Sequence, residues 1–239
     1  MVTNNKSSAL ILGLLIFLGL SSMGYLLGSS ALKIKEYERT VTVKGLSERE
    51  FDADIVIWPI QFTAAENNLE ALYVLIDNST SKIIDFLSAK GISKEEISFG
   101  APAITDKSAQ QYGDGSRGEF RYTAVQTVTV YSKNIDAVRT VMRELSSLGK
   151  QGIVITGEGY QAQTEYIFTR INEIKPEMIE ESTRKAREVA EKFASDSKSS
   201  LGKIRRASQG QFSIEPRDRN NPHIKKVRVV STVEYYLSD

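Results

Sequence analysis

Residues 152–163 read GIVITGEGYQAQ. The apolar residues Ile153, Val154 and Ile155 lead into Gly157-Glu158-Gly159-Tyr160-Gln161-Ala162. A strand followed by G-x-G-x-x-A is the outline of a turn that holds a dinucleotide pyrophosphate. That chemistry needs a helix to begin inside the glycines, so that its first N–H groups meet the phosphate. The residues that follow, QTEYIFTRINEIKPEM, instead offer strand formers at Tyr166, Ile167 and Phe168, with helix signals only from Pro176. An acid for the ribose about twenty residues on would be Glu180 or Glu181, and both fall inside the next helix. The glycines are expected to bend the chain between two strands, as a hairpin or bulge, and to bind no nucleotide.

The chain of 239 residues has one histidine, His223, and no cysteine. Thiolate metal sites, Fe–S clusters, disulfides and cysteine nucleophiles are thereby excluded, as is a site of several histidines. A Ser-His-Asp relay would have to pass through His223. That residue sits in the polar stretch PRDRNNPH, beside Asn220, Asn221 and Pro222, and is expected to be a surface loop side chain. No catalytic, cofactor-binding or metal-ligating residue is assigned, no cofactor is expected, and the chain is not expected to be an enzyme.

A net charge of +1 gives no global pull on nucleic acid, which is not an expected partner. Charge is nevertheless uneven. Lys198, Lys203, Arg205, Arg206, Arg217, Arg219, Lys225, Lys226 and Arg228 outnumber Glu215 and Asp218 over residues 198–228. This stretch lacks the interleaved aromatic residues that stack single-stranded bases. Two uses stay open: solvated charge that protects sheet edges, or contact with anionic lipid headgroups or an acidic polymer.

Residues 9–32, ALILGLLIFLGLSSMGYLLGSSAL, contain no charge. As a helix they reach about 36 Å, enough to cross a hydrocarbon core of roughly 30 Å. A retained transmembrane signal anchor is expected. A cleaved export signal is the alternative, with Ser29 and Ala31 able to supply the small residues before a cut. Residues 1–8 then form a short tail, 33–39 a linker, and 40–239 one extracytoplasmic domain. Charge alone argues for the other orientation, because Lys33, Lys35, Arg39 and Lys44 outnumber Lys6 and the α-amino group.

The chain as a whole, at 26% charged and 41% hydrophobic residues, has ordinary globular composition. Thr40, Thr42 and Lys44 alternate with Val41, Val43 and, across Gly45, Leu46, which predicts a strand. Ile55, Ile57, Ile60 and Phe62 predict a second, bent by Pro59. A helix over residues 67–90 would bury Leu69, Leu72, Tyr73, Ile76, Ile83, Ile84 and Leu87 and close at Gly91. A strand over residues 97–105, a polar loop over 106–118 and a strand over 122–131 complete the first half. A short helix begins at the N-cap Asn134 and stops at Gly149. The second half starts with a strand near Glu165 and a helix from about Pro176 to Ser199, with Ile179, Ala186, Val189, Ala190 and Phe193 facing inward. Two strands, KIRRASQGQFSIE and KKVRVVSTVEYYL, finish the chain. Both halves therefore read strand, long helix, strand, polar loop, strand. The expected fold is α+β, with antiparallel sheets, long helices on one face and two pseudo-repeated β-α-β-β halves. Trp58 is expected in the core, and Tyr235 and Tyr236 on opposite strand faces.

Several stretches carry a family resemblance. RTVTVKGLSEREFDADIVIWPIQFTA resembles the opening of the SIMPL-domain family: a strand, a glycine-centred turn and a second strand beginning with an acid-x-alanine motif, replaced here by Asp54-Ile55-Val56. LGKQGIVITGEGYQAQ resembles its mid-chain turn. EESTRKAREVAEKFASDSKSSLGKIRRASQG resembles its best-marked motif, a helix with Ala186, Ala190 and Ala194 in register, then Leu201-Gly202 and a strand. VRVVSTVEYYL fits the last strand. The resemblance covers residues 38–237 and implies a bacterial, exported or membrane-anchored protein with its domain outside the cytoplasm, against the charge count. It also implies homo-oligomers that can close into rings, and a link to stress tolerance without an agreed reaction. It carries no catalytic residues over. The function expected is an oligomeric structural or interaction scaffold of the cell envelope, attached to the bilayer through residues 9–32. The alternative is a module that binds an envelope ligand or polymer through the polar loops and basic strands.

Overall fold

A computed structural model describes residues 5–36, 39–109, 119–156 and 162–238. The middle of the first polar loop and the glycines Gly157 and Gly159 lie outside the described residues. Helix α1 (Asn5–Glu36) contains Ala9–Ser30, long and apolar enough to cross a membrane, and none of this window is buried inside the protein. The rest of the chain is α+β with antiparallel sheets, as its patterning predicts, and it divides into two compact units.

One unit comprises Arg49–Ile174 and Ser213–Val227. Its central strand β2 (Ile55–Glu66) pairs without a break with β5 (Tyr122–Ser132), from Val56↔Ser132 to Glu66↔Tyr122. On its other side β2 meets β6 (Val154–Ile155) and β7 (Glu165–Ile167), while β3 (Ile97–Phe99) and β4 (Ala103–Asp106) pair with the far side of β5. Val56, Trp58, Ile60, Phe62 and Ala64 alternate inward along β2. They pack with Leu72, Ile76, Ile83 and Leu87 of α2 (Leu69–Ala89), with Val138 and Val141 of α3 (Ile135–Arg143) and with Leu148 of the short α4 (Ser146–Gly149). Asn68 and Asn134 cap their helices, each side chain accepting from an N–H of the first turn.

Pro59 lies within β2 at no visible cost, and the pairing explains why. Gln61 accepts from Thr156 N–H, so the backbone polar groups of the odd-numbered residues point toward β6 and β7. Those strands pair with β2 only at residues 55–57 and 62–63, so the missing N–H of Pro59 falls in the gap between them. The strand expected over residues 97–105 is split at Gly100 and Pro102. Gln126, 6% exposed, fills the break by donating to Gly100 O and accepting from Thr80 of α2. Leu69 and Tyr73, expected inside, are exposed at the start of α2.

The other unit comprises Met1–Glu48, Lys175–Phe212 and Arg228–Asp239. Here β1 (Thr40–Asp52), β10 (Ile224–Ser238) and β8 (Ser200–Gln209) lie in the order β1-β10-β8; β9 (Ser213–Pro216), which falls in the first unit, also pairs with β10. Helix α5 (Ile171–Asp196) sets Ser182, Ala186, Ala190 and Ala194 at four-residue steps against this sheet, so that Val43, Ala186, Ala190, Val233 and Tyr235 form a second, smaller core. The inward face of β1 is Val43, Gly45 and Ser47; Leu46, expected inside, points outward. Pro176 was expected in the first turn, but α5 starts five residues earlier, with Glu173 N–H closing a tight turn onto Arg170 O.

The predicted internal repeat exists with one strand exchanged. The first copy is β2-α2-β3-β5, in sheet order β3-β5-β2; the second has the order β8-β10-β1, with α5 between its first and second strands in topology. The strand near Glu165, expected to open the second copy, is β7, and it joins β2 in the other sheet. Strand β1, from the start of the domain, takes its place.

Candidate functional site

Between the end of β1 and the start of β2 the chain reverses at Asp52-Ala53-Asp54. Two neighbours pin this turn. Ala53 N–H donates to His223 O at 2.8 Å, and the Asp54 carboxylate accepts Thr169 N–H at 3.0 Å and Arg170 Nε at 3.3 Å. Phe51 stacks on Phe168 at 5.4 Å, and Arg170 lies over that ring. The result is a cleft of about 510 Å³ lined by Asp52, Ala53, His223 and the start of α3, Lys133 to Asp136.

His223 is therefore not the free loop side chain that its neighbours suggest. Its ring tilts against Tyr166 with centroids 6.0 Å apart, and Nδ1 is buried without a hydrogen-bond partner among the described residues. Burial, and secondarily the charges of Arg139 and Arg217, hold its pKa below the usual 6.5 against the opposing pull of Asp52 and Asp136. Among the described residues, those lining the cleft include no serine, threonine or tyrosine. Among the described residues no three His, Asp or Glu side chains converge as a metal site would require.

Because the chain has a single histidine, its titration can be followed directly. The imidazole resonance is expected to titrate below 6.5. The unfolded chain then binds more protons than the folded one as pH falls from 6.5 toward the folded midpoint, so stability is full above 6.5 and declines through that window. A midpoint at or above 6.5 in a proton NMR titration overturns the buried placement.

The two polar loops are each closed by an arginine–aspartate pair. Arg121 holds Asp106 through both carboxylate oxygens, at 3.1 and 2.8 Å, and keeps its carboxyl well below the usual range. Arg217 and Asn221 pull Asp218 down to about 2, and Asp218 also accepts the N–H groups of Asn220 and Asn221. Each pair ties down the chain at the end of its loop.

The Gly157-Glu158-Gly159 motif lies outside the described residues, but its surroundings do not. Strand β7 follows it, and the next helix among the described residues, α5, starts only at Ile171.

Exposed apolar side chains also lie along α5 and β8. Strand β8 ends the sheet order with β10 as its only pairing neighbour among the described residues; apart from the half-buried Leu201, all its residues are exposed. Ile204 on β8 is 49% exposed, and Val189 and Phe193 on α5 are 41% and 56% exposed. Phe193 and Val189, expected inside, border a shallow groove of about 290 Å³ with Glu188, Lys192 and Asp196. The sheet edge carries Lys203, Arg205 and Arg206. By contrast, Lys225 and Arg228, expected to protect an edge, lie on β10 between β1 and β8, and Lys225 is 8% exposed. Trp58 is in the core as expected; Tyr235 is buried and Tyr236 half-buried.

A family model described as "SIMPL: Protein of unknown function (DUF541)" matches residues 41–234 of the chain. No curated protein matches it.

Proposed function

The chain belongs to the SIMPL family, and from that premise we propose that it is a non-enzymatic scaffold of the cell envelope, held in the membrane by α1 with its domain outside the cytoplasm. The family together with one apolar N-terminal helix fits a membrane-anchored or exported protein. The single observation that carries the scaffold reading is the open surface of β8 and α5. A sheet edge with no second pairing strand among the described residues, carrying the exposed Ile204, and the exposed Val189 and Phe193 of α5 are surfaces another copy of the chain can complete. Contacts that join unlike surfaces by a closing rotation give rings. Anchoring adds effective concentration, because all domains share one plane.

Light scattering on the full chain in detergent, and on a version beginning at Lys35, tests this. Assembly of both at tens of micromolar, lost in Phe193→Glu, supports the sheet and helix surface. Assembly of the full chain alone moves the contact to α1. Two monomers remove the basis of the scaffold. A second reading, a binding module for an envelope ligand, draws on the cleft beside the loop of Asp218 and His223.

A further inference from the structure

The membrane helix and the basic strand β8 are far apart in sequence, but Arg39, shortly after the helix, bonds the residue before β8. Beyond Ser30, the last residue of the apolar window, the chain has six residues of helix and two more before Arg39. At about 1.5 Å and at most about 3.6 Å per residue, Arg39 lies within roughly 20 Å of the hydrocarbon boundary along any path. Headgroups occupy the first ~5–7 Å of that distance.

Arg39 also marks one end of the sheet that contains β8. Leu237 N–H donates to Arg39 O at 2.9 Å, Arg39 Nη2 donates to Ser199 Oγ at 3.4 Å, and β8 begins with Ser200↔Ser238 and Leu201↔Leu237. The same end therefore gathers Arg39, the C-terminus of α5 and the first residues of β8. Lys198 and Lys203 are exposed here, and neither has an ion-pair partner among the described residues. The nearby Asp196 is paired with Lys192 at 2.9 Å. Tyr236 and Leu237 are half-buried at this edge, residue types that suit the boundary between headgroups and acyl chains.

Lys198 supplies an independent sign. It ends α5 with φ 54°, donating to Ser195 O, while Ser199 N–H donates to Ala194 O. This is the left-handed position of a helix stop, where glycine is favoured and a side chain is strained. A lysine held there at a cost to the fold has a use for its charge.

We propose that this end of the sheet, with Arg39, Lys198 and Lys203, rests on the anionic headgroups of the bilayer that α1 spans. The occupant is the membrane rather than an acidic polymer, because the tether keeps this end within reach of the bilayer in every molecule, whereas the contact with a second copy proposed above uses the exposed Ile204, Val189 and Phe193. Each lysine or arginine near such a surface raises the bound population roughly fivefold. The contact rests on α1 staying in the membrane, which co-elution of the full chain with lipid discs reads separately.

The test uses the full chain in lipid discs that contain a headgroup quencher. Since the chain has no cysteine, Ser200→Cys places a single fluorophore at the proximal end of β8 and Ser208→Cys a second, about 27 Å further along the strand. Discs rich in phosphatidylglycerol are expected to quench the Ser200 probe several-fold more than phosphatidylcholine discs, and the Ser208 probe in neither. High salt and Lys198→Gln/Lys203→Gln are expected to bring quenching down to the phosphatidylcholine level. Lys198→Gly should raise the melting temperature by about 2 °C while it lowers quenching. Equal quenching in both lipids leaves only tether proximity and overturns the proposal. So does an unchanged double variant, or a soluble polyanion that alters the Ser200 signal equally in phosphatidylcholine discs.

Discussion

Gly45→Ala is expected to destabilise the unit built on α5 by about 3 kcal/mol. A Cβ at this position would stand 1.8 Å from Ser182 O and 2.4 Å from Ala186 N, and both atoms belong to the helix backbone. No rotamer change relieves such a clash; α5 itself must lift. Lifting it breaks the contacts that its closeness permits. Ser182 Oγ and Ser231 Oγ are 2.6 Å apart beneath the helix, and Ser47 Oγ donates to Glu181 Oε2 at 2.8 Å. To the small core of Val43, Ala186, Ala190, Val233 and Tyr235 the helix contributes only alanines, which cannot fill the gap. Elsewhere in a strand, alanine for glycine is favourable by up to about 1 kcal/mol, so the sign at Gly45 comes from the helix alone. Hydrogen exchange on the full chain should show lost protection in α5 and in β10 from Arg228 onward, with β2 and β5 little changed. Gly202→Ala is the milder comparison, since its Cβ would meet Tyr236 O at 3.0 Å. Unchanged exchange in α5 after Gly45→Ala would mean that the helix does not rest on this strand.

Gly45 also shows what the sequence hides. Alternating residues mark which face of a strand is inside only where side chains make the contact. On β1 the contact is backbone against backbone, so the buried positions are Val43, Gly45 and Ser47, and the apolar Leu46 misleads. The same reason hides the inner stripe of α5: alanines in register are legible, but Val189 and Phe193 look like core residues and lie outside. Patterning succeeded where large side chains fill the core, as along β5, where the period of two runs the length of the strand. It also found Asn134 as a cap, because the Asn oxygen needs only the local first turn. The strand exchange between the two halves was not legible. Which sheet β7 joins depends on Asp54, more than a hundred residues away, whose carboxylate anchors Thr169 and Arg170. For the cleft, the sequence marked His223 as the sole imidazole but placed it in solvent. Its burial comes from Ala53 and Tyr166, and no local signal announces either.

In the other unit, Phe62→Ala is expected to cost about 3–5 kcal/mol. Phe62 is 1% exposed and is among the largest fully buried side chains of the chain. It sits on the central strand, opposite Gln126 on β5 and Ile155 on β6, so strands lie on both sides of it and cannot slide into the space it leaves. The cavity therefore persists, and its cost adds to the lost transfer of a phenyl ring. Tyr131 is the control, an aromatic residue on the neighbouring strand opposite Ile57 but 48% exposed, and Tyr131→Ala should cost well under half as much. Urea titration of both variants, with the slope checked against the parent, measures the difference. Because the core of this unit is separate from that of α5, the Phe62 lesion should lower exchange protection in β2, β5 and α2 first. A loss below about 1 kcal/mol would mean that β2 can close over the gap. In that case the gap opposite Pro59, between β6 and β7, would be the place where the sheet yields.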